Sequence, residues 1–342
     1  MRAGRGWQIL AAKILAAMLI SASPLFAQID PCLHRSVAVN VLDNQGDPVP
    51  DLTTENFQAS IGHQPITILS VTPRSALRVV IVLDASDTLL GEGSEWEFSI
   101  GSAMRLNDAL PADASVGLMV FPTRVEGTIP LTQDRRGIAT QLDSLKAVRR
   151  GSLKGTRRTT LWDAMGQAVS LFGPPKAGDA IYVISDGLDK TSRAEWRNFE
   201  RAMGSVRIFA LVAAPYPNAA PDSGLVEELS RLATDSRGSA LIVSTEPSIA
   251  RDEPAFSPVQ PPPYFNRILT GSQIGAAKEA QFRRIASFYA VEVLLPARLE
   301  KASDWSVTAT LRRDPSGRGP KVMYPRQLGA CEIGNHSAKI TP

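Results

Sequence analysis

Hydrophobic and polar residues follow two different patterns along the chain, and the two patterns predict different kinds of strand. Residues 36–43 alternate apolar and polar side chains, which is typical of a strand with one buried face. Residues 77–83 and 180–185 are almost continuously apolar, as expected of strands that are buried on both faces. The chain is therefore predicted to contain one sheet that is open to solvent on one side and one that is covered on both.

The central part of the chain alternates between buried strands and helical periodicity. Further strands are predicted over 115–121, 206–213 and 240–244, and helices over 95–110, 136–148, 161–172, 194–203 and 224–234. Repeated strand–helix units indicate an α/β fold, with a doubly wound, mostly parallel sheet and helices on both faces.

The two flanks of this central part are predicted to be β-rich. Strands over 36–43, 57–61 and 66–71 precede it, and strands over 289–295, 305–311 and 321–324 follow it. Residues 253–264 are proline-rich, and the linker assigned to 248–275 is predicted to be either stiff and extended or an ordered crossing. A helix over 276–288 follows that linker, with its apolar residues on one face.

The N-terminus has the order of regions typical of a secretory signal peptide. Arg2 and Arg5 precede an apolar run over 9–20, and small residues follow up to Ala27. The run is short for a membrane span and contains Lys13, so cleavage after Ala27 is favoured over an uncleaved anchor. The mature protein is then expected to be secreted or periplasmic.

Removal of residues 1–27 changes the charge balance of the chain. The segment contains three of the 37 basic residues and no acidic residue, so the mature chain has 34 basic and 34 acidic residues. This neutral balance gives no indication of a nucleic-acid partner. Two cysteines, Cys32 and Cys331, lie near opposite ends. Export and the even count favour a disulfide between them, and two unpaired thiols are the alternative.

Candidate chemistry begins where the first buried strand ends. Asp84, Ser86 and Thr88 follow residues 77–83 at alternate positions. Ligands of open α/β sheets bind beyond the carboxyl ends of the strands, and a loop there can direct one acid and two hydroxyls towards one point. Such hard oxygen donors suit Mg²⁺, with Mn²⁺ or Ca²⁺ as further possibilities.

Two later segments are predicted to bring more oxygen donors to the same edge. Thr159 and Thr160 precede the helix over 161–172, and Asp186 follows the buried strand over 180–185 within a Ser-Asp-Gly sequence. Asp186 would contribute the second carboxylate of the site.

These segments resemble the von Willebrand factor type A (VWFA) family over about residues 77–245. The family's metal-ion-dependent adhesion site (MIDAS) is written DxSxS, followed by a distant Thr and a distant Asp. Asp84, Ser86 and Thr88 match the first part, with threonine in place of the last serine. Thr159 matches the distant threonine, with Thr160 as the alternative, and Asp186 matches the last acid.

The resemblance implies a binding protein in which a partner's Glu or Asp carboxylate completes the coordination of a divalent cation. The flanks are similar to those of acidobacterial VWFA-related exported proteins, which implies a small β-sandwich closed by the Cys32–Cys331 bridge. The expected organisation is a signal peptide over 1–27, flank strands over 28–76, a VWFA domain over 77–247, a linker over 248–275, and a helix with further flank strands over 276–342.

Two other functions compete with protein binding. An enzyme is not expected, because the chain has only three histidines, His34, His63 and His336, all in the flanks, and it lacks the common hydrolase and phosphate-loop motifs. The remaining alternative is a structural or assembly subunit of an envelope complex in which the metal site is vestigial. No integral membrane segment is expected after the signal has been removed.

Overall fold

The computed structural model describes a defined set of residues, and every structural statement below concerns these residues. They are 30–73, 77–86, 89, 95–121, 127–147, 161–187, 199, 203–213, 223–243, 268–269, 271–311 and 319–331. The predicted signal peptide, most of the predicted helix over 194–203 and most of the predicted linker lie outside them. No helix within these ranges is long and apolar enough to cross a membrane.

The described part of the chain contains fourteen strands, five α-helices and one short 3₁₀-helix, Thr54–Asn56. The strands are β1 (His34–Leu42), β2 (Phe57–Ile61), β3 (Gln64–Pro73), β4 (Arg78–Asp84), β5 (Ser115–Phe121), β6 (Ile129–Thr132), β7 (Ala180–Ser185), β8 (Arg207–Ala213), β9 (Ser239–Val243), β10 (Ile268–Leu269), β11 (Tyr289–Leu294), β12 (Ser303–Ala309), β13 (Lys321–Met323) and β14 (Gln327–Leu328). The helices are α1 (Glu95–Ala109), α2 (Arg136–Leu145), α3 (Leu161–Ser170), α4 (Ser223–Asp235) and α5 (Ser272–Ala286).

The central part of the chain forms a seven-stranded sheet with the order β10-β9-β8-β7-β4-β5-β6. All neighbouring pairs are parallel except β5 with β6. The predicted doubly wound, mostly parallel α/β sheet is therefore confirmed. The edge strand β6 is not predicted, because its four residues, three half-buried and one exposed, carry no strong periodicity.

Helices cover both faces of this sheet, and alternate residues of each strand point to opposite faces. On β4, Val79 and Ile81 pack with α1, α2 and α5 in one apolar cluster, whereas Val80 and Val82 pack with α3 and α4 in another. Burial on both faces explains why β4 and β7 are continuously apolar.

The flanks form a second sheet, with the order β13-β1-β11-β3-β2-β12-β14 and antiparallel pairing throughout. The prediction that the two flanks pair with each other is confirmed. The Trp305 ring on β12 contacts the Tyr324 ring just after β13, with 5.4 Å between centroids, so strands near opposite ends of the order approach each other. The sheet thus curls around a single apolar cluster. The predicted β-sandwich is confirmed only in that both flanks contribute strands to this one sheet.

The helix after the linker begins earlier than predicted and belongs to the α/β sheet. Its residues Ile274, Phe282 and Ile285 are buried in the same cluster as α1 and α2. Residues 268–269, which were assigned to the linker, pair with β9 as an edge strand. The expected ranges grouped this helix with the C-terminal strands, but a one-sided apolar face does not specify which sheet will cover it.

Candidate functional site

The candidate site lies where the strand order of the α/β sheet changes direction. Strands β4 and β7 are neighbours in the sheet. From β4 the chain continues to β5, away from β7, and from β7 it continues to β8, away from β4. Connections that leave neighbouring strands in opposite directions open a crevice at the carboxyl edge, which is the usual ligand position in doubly wound folds.

Register brings two acidic residues to this crevice. Leu83 pairs with Ile184 across β4 and β7, so Asp84 and Ser185 end their strands side by side, and Asp186 follows at once. The Asp84 and Asp186 side chains are fully buried, and Ser86 is only 3% exposed.

Hydrogen bonds hold the Asp84 carboxylate in a defined orientation. The Ser86 backbone N–H donates to Asp84 Oδ1 over 2.9 Å, and the Ser185 hydroxyl donates to Asp84 Oδ2 over 2.8 Å. Ser185 Oγ in turn accepts a hydrogen bond from the Gly187 backbone N–H, over 3.2 Å. These bonds come from the two strand ends and join them beneath the crevice.

The electrostatics of this arrangement are unfavourable for the polypeptide alone. Burial, and then the nearby negative charge of Asp186, raise the pKa of Asp84 well above its ordinary value, and the hydrogen bonds from Ser185 and Ser86 oppose that rise only in part. Among the described residues, no lysine or arginine forms an ion pair with Asp84. A bound cation stabilises buried carboxylates that repel each other.

The donor set fits a hard divalent cation. Asp84 and Asp186 offer carboxylate oxygens, and Ser86 offers a hydroxyl at the same sheet edge. Nitrogen and sulfur ligands are the donors that would favour other metals. In the described ranges, no group of three or more His, Cys, Asp or Glu side chains is placed to hold a metal ion.

The structure therefore brings together three of the five residues assigned to the site from the sequence. These are Asp84, Ser86 and Asp186, and their role as metal ligands stays a prediction. Thr88 and Thr159, with the alternative Thr160, lie outside the described residues. Helix α3, which follows them in the chain, is anchored through Leu161 in the cluster that covers β4.

Ser185 is the functional candidate to which the sequence analysis gave no role. It is 1% exposed and contacts Asp84 directly. Ser185 belongs to the Ser-Asp-Gly sequence, but that sequence alone does not show which strand end lies beside it. The pairing of β4 with β7 supplies that information.

No family model and no curated protein matches the chain. Solved structures that the chain resembles include a conserved hypothetical protein, BatB, from Bacteroides thetaiotaomicron (17% identity, 61% of this chain and 97% of that chain, TM-score 0.42). Another is a von Willebrand factor type A protein from Catenulispora acidiphila (11% identity, 87% of this chain and 73% of that chain, TM-score 0.41). A third is the manganese-loaded TRAP protein of Plasmodium vivax (11% identity, 76% of this chain and 97% of that chain, TM-score 0.39). At such low identities and TM-scores, these matches carry no information about ligand or role.

The sheet order and the buried acids at its switch point define the class, which is a doubly wound α/β domain with a candidate cation site at its carboxyl edge. Within that class, the strand-end motifs of the central part resemble those of the VWFA family. The assignment to an acidobacterial group of exported proteins stays a prediction.

Proposed function

We propose that this chain is an exported, non-enzymatic protein that binds a partner protein through a divalent cation at the switch-point edge. Asp84, Ser86 and Asp186 would hold the cation together with Thr88 and Thr159. A carboxylate from the partner would complete its coordination. The proposed resident ion is Mg²⁺, with Mn²⁺ or Ca²⁺ as substitutes.

The burial of Asp84 beside a second buried acid is the observation that most directly supports a bound cation. The pKa of Asp84 is raised by burial and by Asp186, so in the absence of a cation the charged form costs folding free energy. A dication offsets that cost, and binding and folding are then coupled.

The low negative charge of the ligand set supports a role in binding acidic partners. Only two of the five proposed ligands are anionic, so a bound dication would keep a net positive charge and attract a further anion. Asp84 is oriented by Ser86 and Ser185 before any partner arrives, so little ordering would be required on binding.

Cation binding by the full chain is the first test. Titration of the metal-free chain with Mg²⁺ or Mn²⁺ in a calorimeter should reveal one site, and Asp84→Ala should weaken it by more than about 100-fold. Asp143→Ala, which removes an exposed acid of α2 that pairs with Lys146, is the matched control and should bind as the wild type does. A wild-type chain that binds neither ion would refute the proposal.

The partner carboxylate can be tested with the Mn²⁺-loaded chain and a matched pair of peptides. A peptide with one glutamate should displace water from the bound Mn²⁺ and lower its enhancement of water-proton relaxation, whereas the same peptide with glutamine should not. Equal effects of the two peptides would argue against recognition of a carboxylate, and would leave a structural role in an envelope complex as the better explanation.

A further inference from the structure

Ser185 occupies a position between the two strand ends that carry the candidate ligands. Its hydroxyl lies 2.8 Å from Asp84 Oδ2, and its own chain continues directly into Asp186. The residue is 1% exposed, so water does not compete for its hydrogen bonds.

The direction of the hydrogen bonds follows from the donors that are present. A backbone N–H can only donate, so Gly187 donates to Ser185 Oγ, over 3.2 Å. The single hydroxyl proton of Ser185 is then available to Asp84 Oδ2, and a carboxylate oxygen is the stronger acceptor when it is ionised. Ser185 thus favours the charged form of Asp84, which is the form that binds a cation.

The same bond also fixes the plane of the carboxylate. Ser86 N–H holds one oxygen of Asp84 from the β4 side, and Ser185 holds the other from the β7 side. With both oxygens held, the carboxylate cannot rotate freely about its last bond. Its remaining lone pairs therefore keep one direction relative to Asp186.

We propose that Ser185 is a positioning residue of the cation site, which orients the Asp84 carboxylate and links it to the strand end that carries Asp186. The inference rests on the proposed function, because it assigns a role within the same site. Residues that hydrogen-bond to metal ligands commonly change metal affinity by about 10–100-fold when they are removed.

Two substitutions at this position separate the hydroxyl from the bulk of the side chain. Ser185→Ala removes the hydroxyl and adds no volume, so the variant is expected to fold and to bind Mg²⁺ about 10–100-fold more weakly. Ser185→Thr keeps the hydroxyl and suits a strand, and it should bind within about threefold of the wild type.

A second buried serine provides a matched control. Ser236 Oγ accepts from the Ile208 N–H over 2.9 Å and donates to the Ala233 carbonyl over 3.1 Å, at the opposite edge of the sheet. Ser236→Ala therefore removes a buried hydroxyl with the same number of hydrogen bonds, and it should leave Mg²⁺ affinity unchanged.

The experiment measures Mg²⁺ affinity by calorimetry and the thermal unfolding midpoint in EDTA and in saturating Mg²⁺, for the full chain and these three variants. Ser185→Ala should reduce the Mg²⁺-induced rise in the midpoint at a fixed subsaturating concentration, because stabilisation by a ligand depends on its dissociation constant. Ser236→Ala should lower the midpoint equally with EDTA and with Mg²⁺.

The outcomes distinguish the inference from the proposed function. If the wild type binds Mg²⁺ and Ser185→Ala binds it equally well, the positioning role is refuted and the cation site stands. A Ser185→Thr variant that is as stable as the wild type in EDTA, yet binds as weakly as Ser185→Ala, would also refute it. A wild-type chain that binds no cation refutes both.

Discussion

At the scale of single residues, the most consequential feature is a pair of buried acids, Asp84 and Asp186, on neighbouring strand ends. Each carboxylate disfavours the charge of the other, and burial adds to that cost. Residues that destabilise a fold in this way are characteristic of binding sites, because the stability they cost is recovered when the ligand binds.

The first prediction concerns the pH dependence of the metal-free chain. Because the pKa of Asp84 is higher in the folded chain than its ordinary value of 3.8, the folded state holds more protons than the unfolded state between these two values. The contribution of Asp84 to the free energy of unfolding should therefore fall as pH rises through that window. Urea unfolding in EDTA, between about pH 4.5 and 8, measures this slope.

Asp84→Asn is the comparison for this measurement. It keeps the shape of the side chain and removes the charge, so it should flatten the slope and make the metal-free chain more stable at neutral pH. Saturating Mg²⁺ should flatten the slope of the wild type as well. Parallel pH profiles for the two chains in EDTA would contradict the assignment of the raised pKa to Asp84.

At the scale of elements, the C-terminal end of α5 is held by one buried arginine. The Arg207 guanidinium, at the start of β8, donates to the carbonyls of Arg284 and Ile285 over 3.0 Å, and to that of Gly178 over 2.9 Å. Asn40 of the flank sheet also donates to the Arg284 carbonyl, over 3.0 Å. The arginine thus joins α5 to the α/β sheet close to its contact with the flanks, and its positive charge suits a helix C-terminus.

The second prediction is that Arg207→Met strongly destabilises the fold. Burial lowers the pKa of Arg207 to about 9, which still leaves it charged at neutral pH. Its loss would remove the donor from the buried carbonyls of Gly178 and Ile285, at about 1–3 kcal/mol each, whereas the Arg284 carbonyl would keep its bond from Asn40. Chemical unfolding should show the difference, and the exposed Arg136→Met variant should unfold as the wild type does. Equal stability of Arg207→Met and the wild type would contradict this role.

The third prediction compares two glycine substitutions. A Cβ at Gly238 would overlap the Ile208 backbone carbonyl, so Gly238→Ala must displace β8 from β9 and should lower the free energy of unfolding. A Cβ at Gly101, inside α1, meets nothing within 4 Å, so Gly101→Ala should raise stability by about 1 kcal/mol. The urea midpoints of the two variants test the predicted loss of stability and the predicted gain. A Gly238→Ala variant that is more stable than the wild type would show that β8 and β9 do not approach so closely at this position.

At the scale of the whole molecule, the two ends of the described chain are joined covalently. Cys32 and Cys331 form a disulfide, with 5.3 Å between their Cα atoms and a sequence separation of 299 positions. Cys32 is fully buried beside β1, and the backbone N–H of Cys331 donates to the Leu299 carbonyl over 2.9 Å. The disulfide predicted from the cysteine count is thus present, and it joins the two flanks of the chain.

The fourth prediction concerns this bridge. Because it closes a very long loop of the unfolded chain, its loss should reduce the free energy of unfolding by about 2–5 kcal/mol. A double Cys32→Ser, Cys331→Ser variant should unfold at a lower urea concentration than the wild type, and a reductant should shift only the wild type. If reductant leaves the wild-type midpoint unchanged, the bridge does not contribute to stability.

Particular elements show which strands and helices can be predicted from the sequence. Strand β5 was predicted with the bounds that the structure shows, Ser115–Phe121, because residues buried on both faces form an unbroken apolar run. The edge strand β6 and the short β14 were missed, because edge strands are brief and half exposed. Helix α5 is predicted by its periodicity, but its apolar face does not show that it packs in the same cluster as α1 and α2.

The amino-acid sequence by itself determined the local elements, the doubly wound class and the identity of the acids at two strand ends, since these depend on periodicity and on residue chemistry along short segments. Only the tertiary structure decided that Ser185 would bond to Asp84, that Arg207 would hold the end of α5, and that the flank sheet would curl around one cluster. The first two of these contacts join residues that are 101 and 77 positions apart. Their formation depends on strand register and on packing across the whole chain, which no local pattern encodes.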